Sequence, residues 1–132
     1  MIKRTFGYLA LCGLLASGSL QAHHSLAGVY DMKKETELSG SVEKIQFVNT
    51  HGSLVVTVKN PDGSTTEWAI TGGSVTALAR LGVGKDGPNA LHAGDEITVT
   101  YVPAADGKSP IGLLVAITYP DGHTVRFRSP DE

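Results

Sequence analysis

The 132-residue chain has little cysteine, few aromatic residues and no excess of basic residues. Its one cysteine, Cys12, lies in the first apolar stretch, so the remainder has no thiol for a disulfide, a thiolate metal site or a cysteine nucleophile. The 11 Lys and Arg against 13 Asp and Glu argue against a nucleic-acid partner, because domains that bind nucleic acids are usually strongly basic. The length allows one domain, and a hydrophobic content of 41% is enough for its core.

The first residues have the three-part pattern of a secretory signal peptide. Two basic residues come first, an apolar run covers residues 6–16, and small and polar residues continue to Ala22. The run is shorter than the about 20 apolar residues that a membrane span needs. We therefore expect residues 1–22 to be a signal peptide rather than a core helix, and the protein to be periplasmic or secreted, with no stable membrane span. Cleavage after Ala22 is favoured over cleavage after Gly18.

The rest of the chain consists of short segments in which apolar and polar residues alternate. Such alternation is typical of β-strands with one buried face. Turn residues at positions 60–63 (Asn-Pro-Asp-Gly) predict that the second and third strands form a hairpin. The apolar positions define strands over residues 38–47, 54–58, 66–70, 97–101 and 111–117, with a short last strand at 125–127.

Two local features interrupt this alternation. The apolar phase of the first strand changes after Gly40, which predicts a bulge or a sharp bend. After the third strand, Ser74 is a suitable N-cap for a short helix that ends before Gly82. The residues expected on the inner face of this helix are Val75, Leu78 and Leu81.

The order of three strands, one short helix and two or three further strands predicts an all-β protein with one short helix. We expect a small five- to six-stranded OB-like Greek-key barrel with the helix at one end; a small open sandwich is the alternative. The domain organisation is then a signal peptide at 1–22, an extended N-terminal arm at 23–35 and a small β-barrel domain at 36–132. Trp68 and Tyr101 are expected in the core rather than on a surface that stacks on bases.

The histidines are the main candidates for chemistry. Cleavage after Ala22 would make His23 the first residue, and an N-terminal histidine offers its free amine and its ring to one metal ion. One more imidazole would complete a three-nitrogen site that suits copper. His51, in the turn after the first strand, is the predicted third ligand, and His24 is a further candidate. The alternatives are a solvated His pair and a His51 that bonds the backbone of its turn.

The sequence contains no other recognisable catalytic set, so we expect a protein that is not an enzyme. The serines lack the surroundings of an activated nucleophile, and the glycine-rich residues 82–85 lack the spacing of a phosphate-binding loop. The remaining histidines, His92 and His123, are expected to be ordinary surface residues.

Several motifs resemble an uncharacterised family of small exported bacterial proteins that begin with His-His-Ser after the signal peptide. The most specific match is Ala22-His23-His24-Ser25. Thr50 and Val83 depart from the family pattern, which has Pro and Trp there. The resemblance implies an exported β domain of unknown activity and gives weight to His23, His24 and His51. The other matching segments are residues 30–31, 38–42, 49–51, 68–69, 73–74, 80–83, 94–97 and 120–122.

Three functions are consistent with these features. The first is a binding module that holds copper or another divalent metal ion. The second is a metal-free accessory module that binds a protein partner in the cell envelope. The third is a histidine-brace copper oxidase or oxygenase, which we favour least because so small a domain offers no obvious extended substrate surface.

Overall fold

The computed structural model describes residues 26–48 and 51–128, with the backbone alone at Val48 and His51. Residues 26–29 form a helical turn within the segment expected to be an extended arm. The elements that follow in this part of the chain are β1 (Thr36–Val48), β2 (His51–Lys59), β3 (Thr65–Ser74), α1 (Val75–Arg80), β4 (Glu96–Pro103), β5 (Ile111–Thr118) and β6 (Thr124–Arg126). Their order is the one that the sequence predicts.

The strands form a closed five-stranded barrel with one added strand. β1 pairs antiparallel with β2 at its end and with β4 at its beginning. β2 pairs with β3, and β4 pairs with β5, both antiparallel. The parallel pairing of β3 with β5 closes the barrel, and β6 extends it beside β5. This is the OB-like topology, so the predicted fold class is confirmed and the open sandwich is excluded.

The core lies inside the barrel and follows the predicted alternation in most strands. The buried residues include Val42, Val56, Ile70 and Val99, each with at most 1% of its surface exposed. Trp68 packs partly buried against this core, and its ring meets the edge of Tyr101 with 5.4 Å between the ring centroids. No polar or charged side chain is buried within the described residues. The prediction that the two aromatics belong to the core is confirmed.

β1 pairs with β4 and then with β2, and it bends between them, as the change in the phase of its apolar residues predicts. Its pairing with β2 shifts by one residue between Val42 and Lys44, which leaves Glu43 as an extra residue in a bulge. Gly40 lies just before this point, where a Cβ atom would overlap the carbonyl oxygen of Thr57 and the side chain of Val56. Glycine therefore allows β2 to approach β1 closely where β1 passes from β4 to β2.

The helix is capped at both ends. Ser74 Oγ accepts a hydrogen bond from the N–H of Ala77 at 3.0 Å. At the other end Gly82 has a φ of +71°, and Val83 donates its N–H to the carbonyl of Leu78 at 2.9 Å, as in a Schellman motif. This reversal buries Val83 and leaves Leu81 38% exposed, so the prediction that Leu81 faces inward is wrong.

β5 also departs from the predicted phase. Thr100 pairs with Ala116 and Tyr101 pairs with Leu114, so Val115 is an extra residue in a bulge. Leu114 lies in the barrel core, whereas Val115 belongs to a second apolar cluster outside it. Leu114, rather than Val115, therefore contributes to the inner face of the barrel.

The N-terminal segment covers this second cluster. Tyr30 and Met32 pack against Val102, Val115 and Ala116. Backbone hydrogen bonds join Asp31 N–H to the Pro103 carbonyl and Ala105 N–H to the Val29 carbonyl, at 2.9 and 2.8 Å. Residues 29–32, which we call the strap, are thus fastened to the end of β4.

Candidate functional site

The corner between β1 and β2 is the predicted location of the metal ligand His51. The backbone of His51 begins β2 and lies between Val48 of β1 and Ser74 of β3. Because Ser74 is also the N-cap of α1, the corner sits beside the helix at one end of the barrel. Gly52 packs so closely on Leu78 of the helix that a Cβ atom there would overlap the Leu78 side chain. The start of β2 at Gly52 is therefore packed directly against the helix.

The other predicted ligands cannot be compared with this corner. His23 and His24 lie outside the described residues, and the side chain of His51 is not described. The metal site made of His23, His51 and His24 therefore stays a prediction. Among residues 26–48 and 51–128, no three His, Cys, Asp or Glu side chains form a group that could hold a metal ion.

His92 stabilises the loop between α1 and β4. Its ring Nε2 lies 3.1 Å from the carbonyl oxygen of Lys85, and its backbone N–H donates to Asp95 Oδ2 at 2.8 Å. Its Nδ1 is 3.7 Å from the same carboxylate oxygen, and its side chain is 66% exposed. His92 is thus a surface residue, as expected, with a bracing role in its own loop.

His123 makes contacts that local sequence does not indicate. Its Nδ1 hydrogen-bonds Asp121 Oδ1, two residues earlier. Its Nε2 lies 2.8 Å from Oδ1 of Asn89, which is 34 residues earlier in the chain. Its ring stacks on Tyr119 with 4.4 Å between the centroids and 3° between the planes. The Asp121–His123 spacing is the one local signal in the sequence, and the Asn89 contact has none.

The contacts around this turn shift the pKa values of Asp121 and Tyr119. The backbone N–H of His123 and then its ring hold the pKa of Asp121 below its usual value of 3.8. Burial, with a smaller effect from the charge of Asp95, raises the pKa of Tyr119 to about 12. The Tyr119 hydroxyl is therefore protonated at neutral pH, and it donates to the carbonyl oxygen of Asn89 at 2.8 Å.

No helix in the described part of the chain has the length and apolar character to cross a membrane. The model of a family of unknown function (DUF6152) matches residues 13–113. No curated protein matches the chain. Among solved structures, the chain is similar to the mitochondrial single-stranded DNA binding protein Rim1 of S. cerevisiae, with 13% identity and a TM-score of 0.47 over 70% of this chain and 95% of that chain. A likeness this weak carries no argument about ligands.

Proposed function

The chain belongs to DUF6152, a family of unknown function, and from this premise we propose that it is an exported binding protein that is not an enzyme. In this proposal the barrel holds copper or another divalent ion through His23, His51 and His24. The observation that carries it is the His-His pair directly after the predicted cleavage site, together with a further histidine at the β1–β2 corner.

The donor atoms suit copper. His23 would supply its terminal amine and its ring, and His51 would supply a second ring. Nitrogen donors of this kind are ones that Cu(II) sites in proteins use. Neutral imidazole is also available as a ligand at neutral pH.

Copper binding by the exported protein tests the proposal. N-terminal sequencing should give His23 as the first residue. Titration with Cu(II) should show one site, and His51→Ala should weaken it by at least about tenfold, or about 1.4 kcal/mol. The matched control is His92→Ala, which should leave the affinity unchanged. An exported chain that begins at Ser19, or a wild-type protein that binds no copper, would contradict the proposal.

The exposed apolar residues of the helical turn at 26–29 favour the second candidate, a metal-free module that binds an envelope protein. Leu26 and Val29 are 40% and 47% exposed on the helical turn. Crosslinking in cell-envelope fractions should capture a partner with the wild type and lose it in Leu26→Ser/Val29→Ser. Equal crosslinking by both proteins would count against this candidate.

A further inference from the structure

The tip of the β5–β6 hairpin contacts the loop of residues 82–91 through His123 and Tyr119. His123 belongs to the hairpin, and Asn89 belongs to the loop. The ring of His123 contacts the Asn89 side chain at 2.8 Å, and the Tyr119 hydroxyl beneath the ring bonds the Asn89 backbone at 2.8 Å. Asn89 is therefore the point at which the hairpin holds the loop.

The orientation of the Asn89 amide determines which protons His123 must carry. Asn89 Nδ2 donates to the carbonyl oxygen of Leu81 at 2.7 Å, so its Oδ1 is the atom that faces His123 Nε2. On the other side of the ring, Nδ1 faces an oxygen of Asp121. Both ring nitrogens thus face acceptors. Only the imidazolium has two N–H donors, whereas neutral imidazole leaves one nitrogen lone pair directed at an oxygen.

Several other titratable groups lie at this end of the barrel. Asp121 is a carboxylate on the same turn, and Asp95, at the start of β4, lies close enough to act on Tyr119. Tyr119 itself is neutral at physiological pH. His92 Nδ1 lies 3.7 Å from the carboxylate of Asp95, and Lys85 and Asp86 belong to the loop of residues 82–91. Among these groups, the carboxylate of Asp121 is the one that contacts the His123 ring.

The loop that His123 holds closes the apolar end of the barrel. Val83 and Leu91 are both buried, and they line an apolar pocket together with Leu78 of the helix. Within the loop, Asn89 N–H bonds the Gly82 carbonyl and Leu91 N–H bonds the Gly84 carbonyl, at 3.1 and 3.0 Å. Loss of the contact at Asn89 would loosen the segment that carries Leu91 over the pocket.

We propose that His123 is a pH-dependent latch, which fastens the loop of residues 82–91 to the β5–β6 hairpin when it is protonated and loosens it when it is neutral. Asp121 on the hairpin faces Nδ1 in either state, whereas the loop brings Asn89 Oδ1 to Nε2 only when it is closed, so the closed state alone offers acceptors to both N–H groups of the imidazolium. Proton binding is therefore coupled to closure, and the closed state gains stability as the pH falls through the range in which imidazole takes up its second proton. The apolar end of the barrel opens more often at pH 7.5 than at pH 5.5.

Amide hydrogen exchange of the exported protein, corrected for intrinsic rates, tests the latch. The protection factors of the Asn89 and Leu91 amides should be at least roughly threefold higher at pH 5.5 than at pH 7.5. His123→Gln keeps a polar side chain that does not titrate, and it should remove this difference. The matched control, His92→Gln, should retain it, because His92 is more exposed and has only one ring nitrogen within hydrogen-bond distance of an oxygen.

A second variant covers the case in which His123→Gln fails to fold. Asp121→Asn keeps the ring and Asn89 but removes the carboxylate, so the pH difference should shrink. Equal protection at both pH values in the wild type would overturn the proposal. A pH difference that persists in His123→Gln, or that disappears only in His92→Gln, would overturn it too.

Discussion

At the scale of single residues, each of two turns contains an aspartate whose carboxylate accepts hydrogen bonds from residues two or three positions later in the chain. Asp106 accepts hydrogen bonds from the backbone N–H groups of Lys108 and Ser109, and from the Ser109 hydroxyl at 2.5 Å. Asp62 accepts from the N–H and the hydroxyl of Ser64, at 2.9 and 2.5 Å. Such bonds favour the charged carboxylate. The Ser109 hydroxyl and then the backbone N–H groups lower the pKa of Asp106 to about 2.

A titration of the side-chain carboxyl carbons by NMR checks this assignment. Asp106 should titrate near 2, and Ser109→Ala should raise its pKa towards 3.8 without moving Asp62. Ser64→Ala is the matched control, and it should raise the pKa of Asp62 alone. Because the folded pKa of Asp106 is depressed, its stabilising contribution is present above about pH 4 and is lost as the pH falls towards 2. An Asp106 that titrates near 3.8 in the wild type would show that the Ser109 bonds do not hold in solution.

At the scale of elements, β1 connects the two halves of the barrel. It pairs with β4 through residues 36–41 and with β2 through residues 41–48. The change of partner requires a close approach at Gly40 and an extra residue at Glu43. A strand without these two features would stay with one partner, and the barrel would not close around it.

Substitution of Gly40 by alanine should therefore lower the stability of the barrel. The added Cβ meets backbone at Thr57, which cannot rotate away, so we expect a loss of about 1–3 kcal/mol in the free energy of unfolding by urea. Gly28→Ala is the matched control, because nothing lies within 4 Å of the Cβ position there. Its expected change is within about 0.5 kcal/mol. Equal stability of Gly40→Ala and wild type would mean that β1 and β2 are further apart than described.

The elements also show where the sequence pattern is sufficient to predict which residues are buried. β2, β3 and the part of β4 up to Tyr101 alternate, so their buried faces follow from their residues. β5 carries five consecutive apolar residues at 113–117, and such a run does not reveal a bulge at Val115. Leu81 follows the helical period, but the reversal at Gly82 buries Val83 instead. Both departures from the periodic pattern come from contacts with another element or turn, which such a pattern does not contain.

At the scale of the whole molecule, closure of the barrel depends on strands that are distant in sequence. β3 and β5 pair through residues 69–71 and 111–113. Ile70, which is 1% exposed, lies in the middle of this pairing and in the core. The barrel core, the β3–β5 pairing and the cluster under the strap all involve the same strands. We therefore expect that no part of the barrel folds independently of the rest.

The barrel should consequently unfold as one unit. Trp68, the only tryptophan of the sequence, lies next to Ile70, so its fluorescence reports on closure, whereas far-UV circular dichroism reports on all strands. The two urea transitions should coincide. Ile70→Ala should lower the free energy of unfolding by about 2–5 kcal/mol, and the exposed control Leu81→Ala should change it by less than about 0.5 kcal/mol. Separate transitions for the two probes would contradict a single cooperative unit.

The amino-acid sequence by itself determined the order of the elements, the hairpin turn at residues 60–63, the cap at Ser74 and the choice of His23, His24 and His51 as candidate ligands. The elements, the turn and the cap depend on residues a few positions apart, because alternation, capping and turn formation are local. Tertiary structure decided the closure of β3 on β5, the outward cluster under the strap and the contact of His123 with Asn89. These contacts join residues about 34 to 86 positions apart, and only the folded chain brings such residues into contact.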